Sequence, residues 1–328
     1  MYNFVHIKDR KTYLNSFEPS GKPILFMLRG LVRSYKGWLG AEEDLSEKFD
    51  VICVDLPGVG LSKGEKYLYT VQEMGQEMVK VINHLNFEKF YIVAPSLGSM
   101  VAYEIVKQIP LEKIKGLILF VPSHSGFGIR RLSPMGARTI ATSAFVSKEV
   151  KLAMIKNMLI GKTSDGNDLF EMDPQLESKW KKQLLQDNKD LGTKGQLAQV
   201  IAATKYMSKE GIDYIKKHEI PLKVLISTND KMIPIHHKKR IYDYLKHPKS
   251  ELIEMKNAGH DFIVTHKEQV IDVIEKFVEN ENYRANQNIE SVEKKSKKSK
   301  GILFFLATAF TGGLLYWAVR KSKKNKTL

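Results

Sequence analysis

Three side chains of this 328-residue sequence have the types and spacing for acyl-transfer chemistry: Ser96 in VAPSLGS, Asp230 in STNDKMIP and His260 in KNAGHDF. A serine hydroxyl is a weak nucleophile until a base takes its proton, and an imidazole base needs a carboxylate to orient it. Ser96 stands where an apolar run changes character. Ile92 and Val93 read as the end of a buried strand, while Met100, Val101, Ile105 and Val106 recur at helical spacing. A sharp strand–serine–helix turn demands small neighbours, and Ala94 and Gly98 stand two residues to either side. Pro95 biases Ala94 to extended geometry. The pattern A-P-S-L-G still departs from G-x-S-x-G, and a serine at a strand–helix junction can equally be an N-cap. Asp230 follows the apolar run LKVLIST and could instead close an Asx-turn before Pro234. His260 lies in the loop before the last helical pattern, where a surface or capping role is the alternative.

Acyl transfer also needs two backbone N–H groups aimed at the developing oxyanion. Leu97, at the start of the helix after Ser96, is one candidate donor. Leu31, in the Arg29-Gly30-Leu31 loop after PILFML, is the other. Arg29 and His124 are candidates for the substrate pocket, with a turn role the preferred reading of His124. His236 and His237 open a helical pattern beside Asp230 and are expected at the surface. Cys53 is the only cysteine, so no internal disulfide can form; inside DVICVDLP it reads as a buried, inert thiol. No metal site or cofactor is expected.

The elements that must position these residues alternate in type. Apolar runs at 23–30, 50–57, 89–95, 116–122 and 222–228 have the continuous character of strands buried on both faces, with a shorter strand-like run before His260. Helical patterns fall near 35–48, 70–86, 97–109, 235–246 and 262–279. FVHIK and YLNSFEP at the start suggest an antiparallel hairpin. This alternation predicts an α/β fold with a doubly wound, mostly parallel sheet. About 100 residues between the fourth run and LKVLIST carry only helical patterns, such as EVKLAMIKNMLIG and GQLAQVIAAT. They predict a helical cap, about 123–218, above the carboxyl ends of the strands.

Four separated motifs together resemble the α/β-hydrolase fold family over about residues 1–280. LRGLVRSYKGW resembles its oxyanion segment, DLPGVGLS its loop after the fourth strand, VAPSLGS its nucleophile elbow, and NDKMIP with NAGH its acid and base segments. The resemblance implies Ser96 as nucleophile, Asp230 as acid and His260 as base, in the chain order of that fold. Two positions depart from the family pattern. Arg29 stands where the family usually has His, and Ala94 replaces the first elbow glycine. A serine nucleophile argues against haloalkane dehalogenase chemistry, which uses aspartate.

The formal net charge of +15 is concentrated at one end. Residues 294–328 hold ten Lys/Arg and no Asp/Glu, which leaves +5 for residues 1–293. No interleaved aromatic and basic motif suggests nucleic-acid binding. Gly301 to Val319 contains no charged residue. As a helix it would span roughly 28 Å, close to the ~30 Å bilayer core. Tyr316 and Trp317 suit an interface, and five Lys/Arg flank each end. The expectation is a polar tether at 281–300, a transmembrane helix at 301–319 and a basic tail at 320–328. MYNFVHIKDRKTY has no apolar core of a signal peptide, so a tail anchor with the large domain facing the cytosol is expected. The function expected is a membrane-anchored serine hydrolase of a small or lipid-like acyl substrate. A non-catalytic binding protein on the same fold and an acyltransferase are the alternatives, and oligomeric state is left open.

Overall fold

The computed structural model describes residues 3–7, 10–15, 19–62, 67–128, 131–142 and 145–282. β1 (Asn3–Ile7) and β2 (Arg10–Leu14) form the expected antiparallel hairpin. It touches the main sheet through one antiparallel bridge, Leu14 to Val54. The main sheet is built from β3 (Ile24–Met27), β4 (Asp50–Cys53), β5 (Phe90–Pro95), β6 (Ile114–Phe120), β7 (Leu222–Ser227) and β8 (Ser250–Met255). Its order is β4-β3-β5-β6-β7-β8, and every pairing is parallel. The strands whose sequences are continuously apolar are buried on both faces: all six residues of β5 and all four of β4 are buried. At the edge, β8 exposes Glu251 and Glu254, which is why its sequence reads less clearly as a strand.

Helices cover the sheet. A short α1 (Ala41–Leu45) precedes β4. α2 (Val71–Leu85) starts with a capping box. Thr70 Oγ1 accepts from the Glu73 N–H, and the Glu73 carboxylate accepts from the Thr70 N–H. α3 (Leu97–Val106) is buried along its whole length and packs against α2, where Gly75 lets the Glu104 side chain come close. The cap comprises α4 (Pro134–Thr142), α5 (Lys148–Leu159) and the long α6 (Pro174–Lys205), which bends at Gly192 (φ 64, ψ 172). That bend lies just before the helical pattern GQLAQVIAAT.

α7 (Glu210–Lys217) corrects the expected cap boundary. It packs on α3, with Gly211 against the Tyr103 backbone, so it belongs to the layer flanking the sheet and not to the cap. Its amphipathic pattern looks like that of a cap helix, and the sequence alone does not say which surface its apolar face meets. After α8 (Ile235–Leu245) and β8 come α9 (Phe262–Thr265) and a helical stretch from 267. The single helix expected over 262–279 is interrupted at His266.

The chain divides into two compact units, 1–275 and 276–328, and the described residues of the second, 276–282, are helical. Residues 281–282 therefore extend helix into the stretch expected as tether. The rest of that stretch, the apolar segment 301–319 and the tail 320–328 lie outside the described residues. Among the described residues, no helix is long and apolar enough to cross a membrane.

Candidate active site

Ser96 occupies the turn between β5 and α3. Its backbone has φ 50 and ψ −114, and its side chain makes no capping bond to the helix it precedes. The N-cap alternative therefore does not describe this serine. A non-glycine residue in that region costs about 1–3 kcal/mol and persists only where its surroundings hold it. The Ser96 N–H donates to the Phe120 carbonyl at 2.9 Å, and the Ser96 carbonyl accepts from the Ser99 N–H at 3.0 Å. Close packing explains the small neighbours. A Cβ on Gly98 would sit 2.9 Å from the Arg29 carbonyl oxygen, and one on Gly30 would sit 3.4 Å from the Ser96 Cβ.

His260 Nε2 lies 3.2 Å from Ser96 Oγ, and His260 Nδ1 lies 2.9 Å from Asp230 Oδ2. The carboxylate fixes the tautomer, because Nδ1 must donate to it and Nε2 is left to accept from the Ser96 hydroxyl. The Asp230 side chain is fully buried, and its Oδ1 accepts from the N–H groups of Met232 (2.8 Å) and Ile233 (2.9 Å). The Asx-turn geometry and the contact with His260 thus coexist, each on its own oxygen. Burial pushes the Asp230 carboxyl up, but His260 and the Lys238 ammonium outweigh it and hold the group well below the usual carboxylate range.

Leu31 and Leu97 both border a cavity at Ser96. Among the described residues, neither backbone N–H donates a hydrogen bond within the protein. Leu97 is the first residue of α3, whose N–H has no acceptor inside the helix. The loop that carries Leu31 is held from several sides. The Val32 N–H donates to Gln199 Oε1 of α6 at 2.7 Å, and Ser34 Oγ donates to Asp187 Oδ1 at 2.5 Å. The Tyr35 N–H donates to Asp55 Oδ1 at 2.7 Å. Burial raises the Asp55 carboxyl to about 7 despite that bond and one from the Leu61 N–H.

Arg29 is 2% exposed, stacks 4.8 Å over Trp38 and pairs through Nη2 with Asp261 Oδ1 at 3.2 Å. It ties the Leu31 loop to the residue that follows His260. The other Asp261 oxygen accepts from Trp180 Nε1 of α6 at 3.2 Å and lies 3.5 Å from Arg33 Nη2. A cavity of about 290 Å³ opens at Ser96 and His260, with Arg29, Arg33 and Asp261 also on its wall. Apolar side chains of the cap, including Ile140, Ile155, Met158 and Leu197, line much of the rest.

His124 takes its turn role, and the surface expectation for His237 is corrected. His124 is fully buried and does not border this cavity. Its Nδ1 accepts from the Gly126 N–H at 2.9 Å, so Nε2 donates to the Ser208 carbonyl at 2.8 Å. Burial lowers its pKa to about 4, so the ring is a neutral cap of the turn at Ser125–Phe127. His237, expected at the surface, is 2% exposed, whereas His236 is exposed. The inward face of α8 carries His237, Lys238 and Ile241, a stripe whose polar members hide it in the sequence. The sequence pattern does not mark Lys238, Asp261, Trp180 or Gln199 as site residues. Only Asp261 had a local signal, its place directly after His260. Cys53 is buried, and burial raises its thiol well above the usual range. Among the described residues, no group of three or more His, Cys, Asp or Glu is placed to hold a metal ion.

The sequence profile of the alpha/beta hydrolase fold family matches residues 23–267. An uncharacterized protein of Mycobacterium tuberculosis is 25% identical over 280 residues, covering 81% of this chain and 79% of its own. A poly(3-hydroxyalkanoate) depolymerase of Ectopseudomonas oleovorans is 23% identical over 243 residues, covering 74% of this chain and 80% of its own. Among solved structures, a thermophilic esterase from Thermogutta terrifontis superposes with a TM-score of 0.66 at 19% identity, over 86% of this chain and 99% of the esterase.

Proposed function

The chain belongs to the alpha/beta hydrolase fold family, and on that premise we propose that it is a membrane-anchored serine hydrolase of esters with an apolar acyl group. In this reading His260 Nε2 takes the proton of Ser96 Oγ as the oxygen attacks the ester carbonyl. Asp230 orients the ring and stabilises the imidazolium that forms. The N–H groups of Leu31 and Leu97 receive the oxyanion. His260 then hands its proton to the departing alcohol, leaving an acyl group on Ser96. A water molecule, deprotonated by His260, attacks that acyl group and frees Ser96.

The observation that carries this reading is the unbroken relay from Ser96 Oγ through both ring nitrogens of His260 to Asp230 Oδ2, at 3.2 and 2.9 Å. The apolar cap side chains around the cavity support an apolar acyl group. Activity on polymeric esters of hydroxy acids, named for the Ectopseudomonas relative, is consistent with the same chemistry. The anchor is carried by the uncharged run from Gly301 to Val319 and its basic flanks. It would hold the catalytic domain close to a membrane surface.

A fluorophosphonate probe tests the reading. It is expected to label the wild-type protein and not Ser96→Ala, and Ser96→Ala should lose ester hydrolysis by roughly 10⁴-fold or more. Labelling that survives in Ser96→Ala, or no labelling of the folded wild-type protein, would refute it.

A further inference from the structure

The acid of the relay carries a second cation. Lys238, on the first turns of α8, is fully buried, as is the Asp230 side chain it meets. Its Nζ donates to Asp230 Oδ2 at 2.8 Å, to the Ser227 carbonyl at 2.9 Å and to Ser227 Oγ at 3.1 Å. An ammonium has three donors, so all three are used and the group is fixed in place. Asp230 Oδ2 is also the oxygen that receives the His260 Nδ1–H. One oxygen atom therefore serves both cation and base.

Resting on the serine-hydrolase reading above, we propose that Lys238 is a positioning residue of the relay. Its ammonium pins Asp230 Oδ2 toward His260 and sets how readily the imidazole accepts the Ser96 proton. Orientation alone does not call for a charge there. The two backbone N–H groups on Oδ1 already fix the carboxylate plane. A neutral side chain at 238 would spare the cost of burying an ammonium. What only a cation does is oppose a second positive charge on the same oxygen, namely the imidazolium.

The other charged groups around the ring are accounted for. Asp261 follows His260, but its oxygens are engaged by Arg29, Arg33 and Trp180. From β7 the only side chain on the pair is the Ser227 hydroxyl. Lys238 is thus the cation that shares an acceptor oxygen with the ring. Its effect is to oppose the positive charge that the ring acquires when it takes the Ser96 proton.

The test is the pH profile of kcat/KM on a soluble ester, measured on the full chain with Lys238→Met and Lys238→Gln. Both variants remove the charge, and Gln keeps a donor that can reach Asp230 if Met destabilises the fold. Thermal melts establish that the assayed variant is folded. The acidic limb of the profile is expected to move to higher pH by about one unit in either variant. Activity on that limb should then fall about tenfold relative to the alkaline plateau. Lys238→Arg, which keeps the charge, should leave the limb near its wild-type position. A folded Met or Gln variant with an unmoved limb overturns the proposal, even if its plateau activity drops. Loss of plateau activity alone is what a merely structural lysine would give. Absence of Ser96 labelling in the wild-type protein would sink the serine-hydrolase reading, and this proposal with it. Labelling with an unmoved limb would sink this proposal alone.

Discussion

Asp230 makes four close hydrogen bonds: from Met232 and Ile233 on Oδ1, and from His260 and Lys238 on Oδ2. Its folded pKa is depressed, since His260 and Lys238 overcome the upward push of burial. Unfolded, an aspartate titrates near about 3.9. The stabilisation from this group is therefore fully present above about pH 4 and lost as pH falls further. Asp230→Asn leaves the Lys238 ammonium buried without its counter-charge, an arrangement that typically costs about 3–5 kcal/mol. At pH 7 the urea midpoint of Asp230→Asn should drop accordingly, and Asp230→Asn combined with Lys238→Met should recover much of the loss. Below pH 4 the gap between wild type and Asp230→Asn should narrow. A midpoint unaffected by Asp230→Asn would show that the pair contributes nothing to stability. Ser96, Asp230 and His260 could be picked out from sequence because each comes after a strand-like run and before a helical pattern. Lys238 could not. The turn from Asp230 into α8 brings it back onto Asp230, and a lysine in a helix among His236, His237, Lys239 and Arg240 looks like one of a solvated group.

The loop between β3 and α1 is held by elements far from it in sequence. Val32 has φ 58, a left-handed conformation that a β-branched residue rarely adopts. It cannot hold that shape by its own preference, and Gln199 of α6 supplies the missing restraint by accepting the Val32 N–H at 2.7 Å. Leu31, the candidate oxyanion donor, immediately precedes Val32. Asp187 and Trp180 of the same helix bind Ser34 and Asp261. α6 is thus bonded to both loops that flank Ser96. Gln199→Ala should leave the Val32 N–H without its partner, at a cost of about 1–3 kcal/mol. If the relay works as proposed, kcat should fall by about tenfold with KM less affected, because a displaced Leu31 N–H is missed mainly in the transition state. Unchanged kcat with an unchanged melting temperature would mean the loop holds itself. The central strands were legible because a parallel sheet covers both faces and leaves an uninterrupted apolar run. The docking of α6 was not, since the polar residues that bind the loops look like those of any exposed helix face. Asp187 and Gln199 are both buried, yet nothing in their spacing says so.

At the scale of the molecule, the charge distribution divides the chain more sharply than the fold does. Residues 1–293 carry +5 and residues 294–328 carry +10 around an uncharged 19-residue run. Basic residues beside a bilayer contribute about 1 kcal/mol each toward an anionic surface, and a spanning helix adds far more. A hydrolase tethered in this way would meet membrane-borne esters at an effective concentration well above their bulk value, with no new contact in the cavity. Two substrates separate anchoring from catalysis. Deleting residues 301–328 should move the protein to the soluble fraction and leave kcat/KM on a short, water-soluble ester within about threefold of the full chain, because the relay and its cavity lie wholly within residues 29–261. Hydrolysis of an ester carried in anionic vesicles should instead fall by about 10²-fold or more, the lower range of avidity gains. Retention of the truncated protein in the membrane fraction would refute the anchor. Equal loss on both substrates would place the tail in the catalytic fold itself.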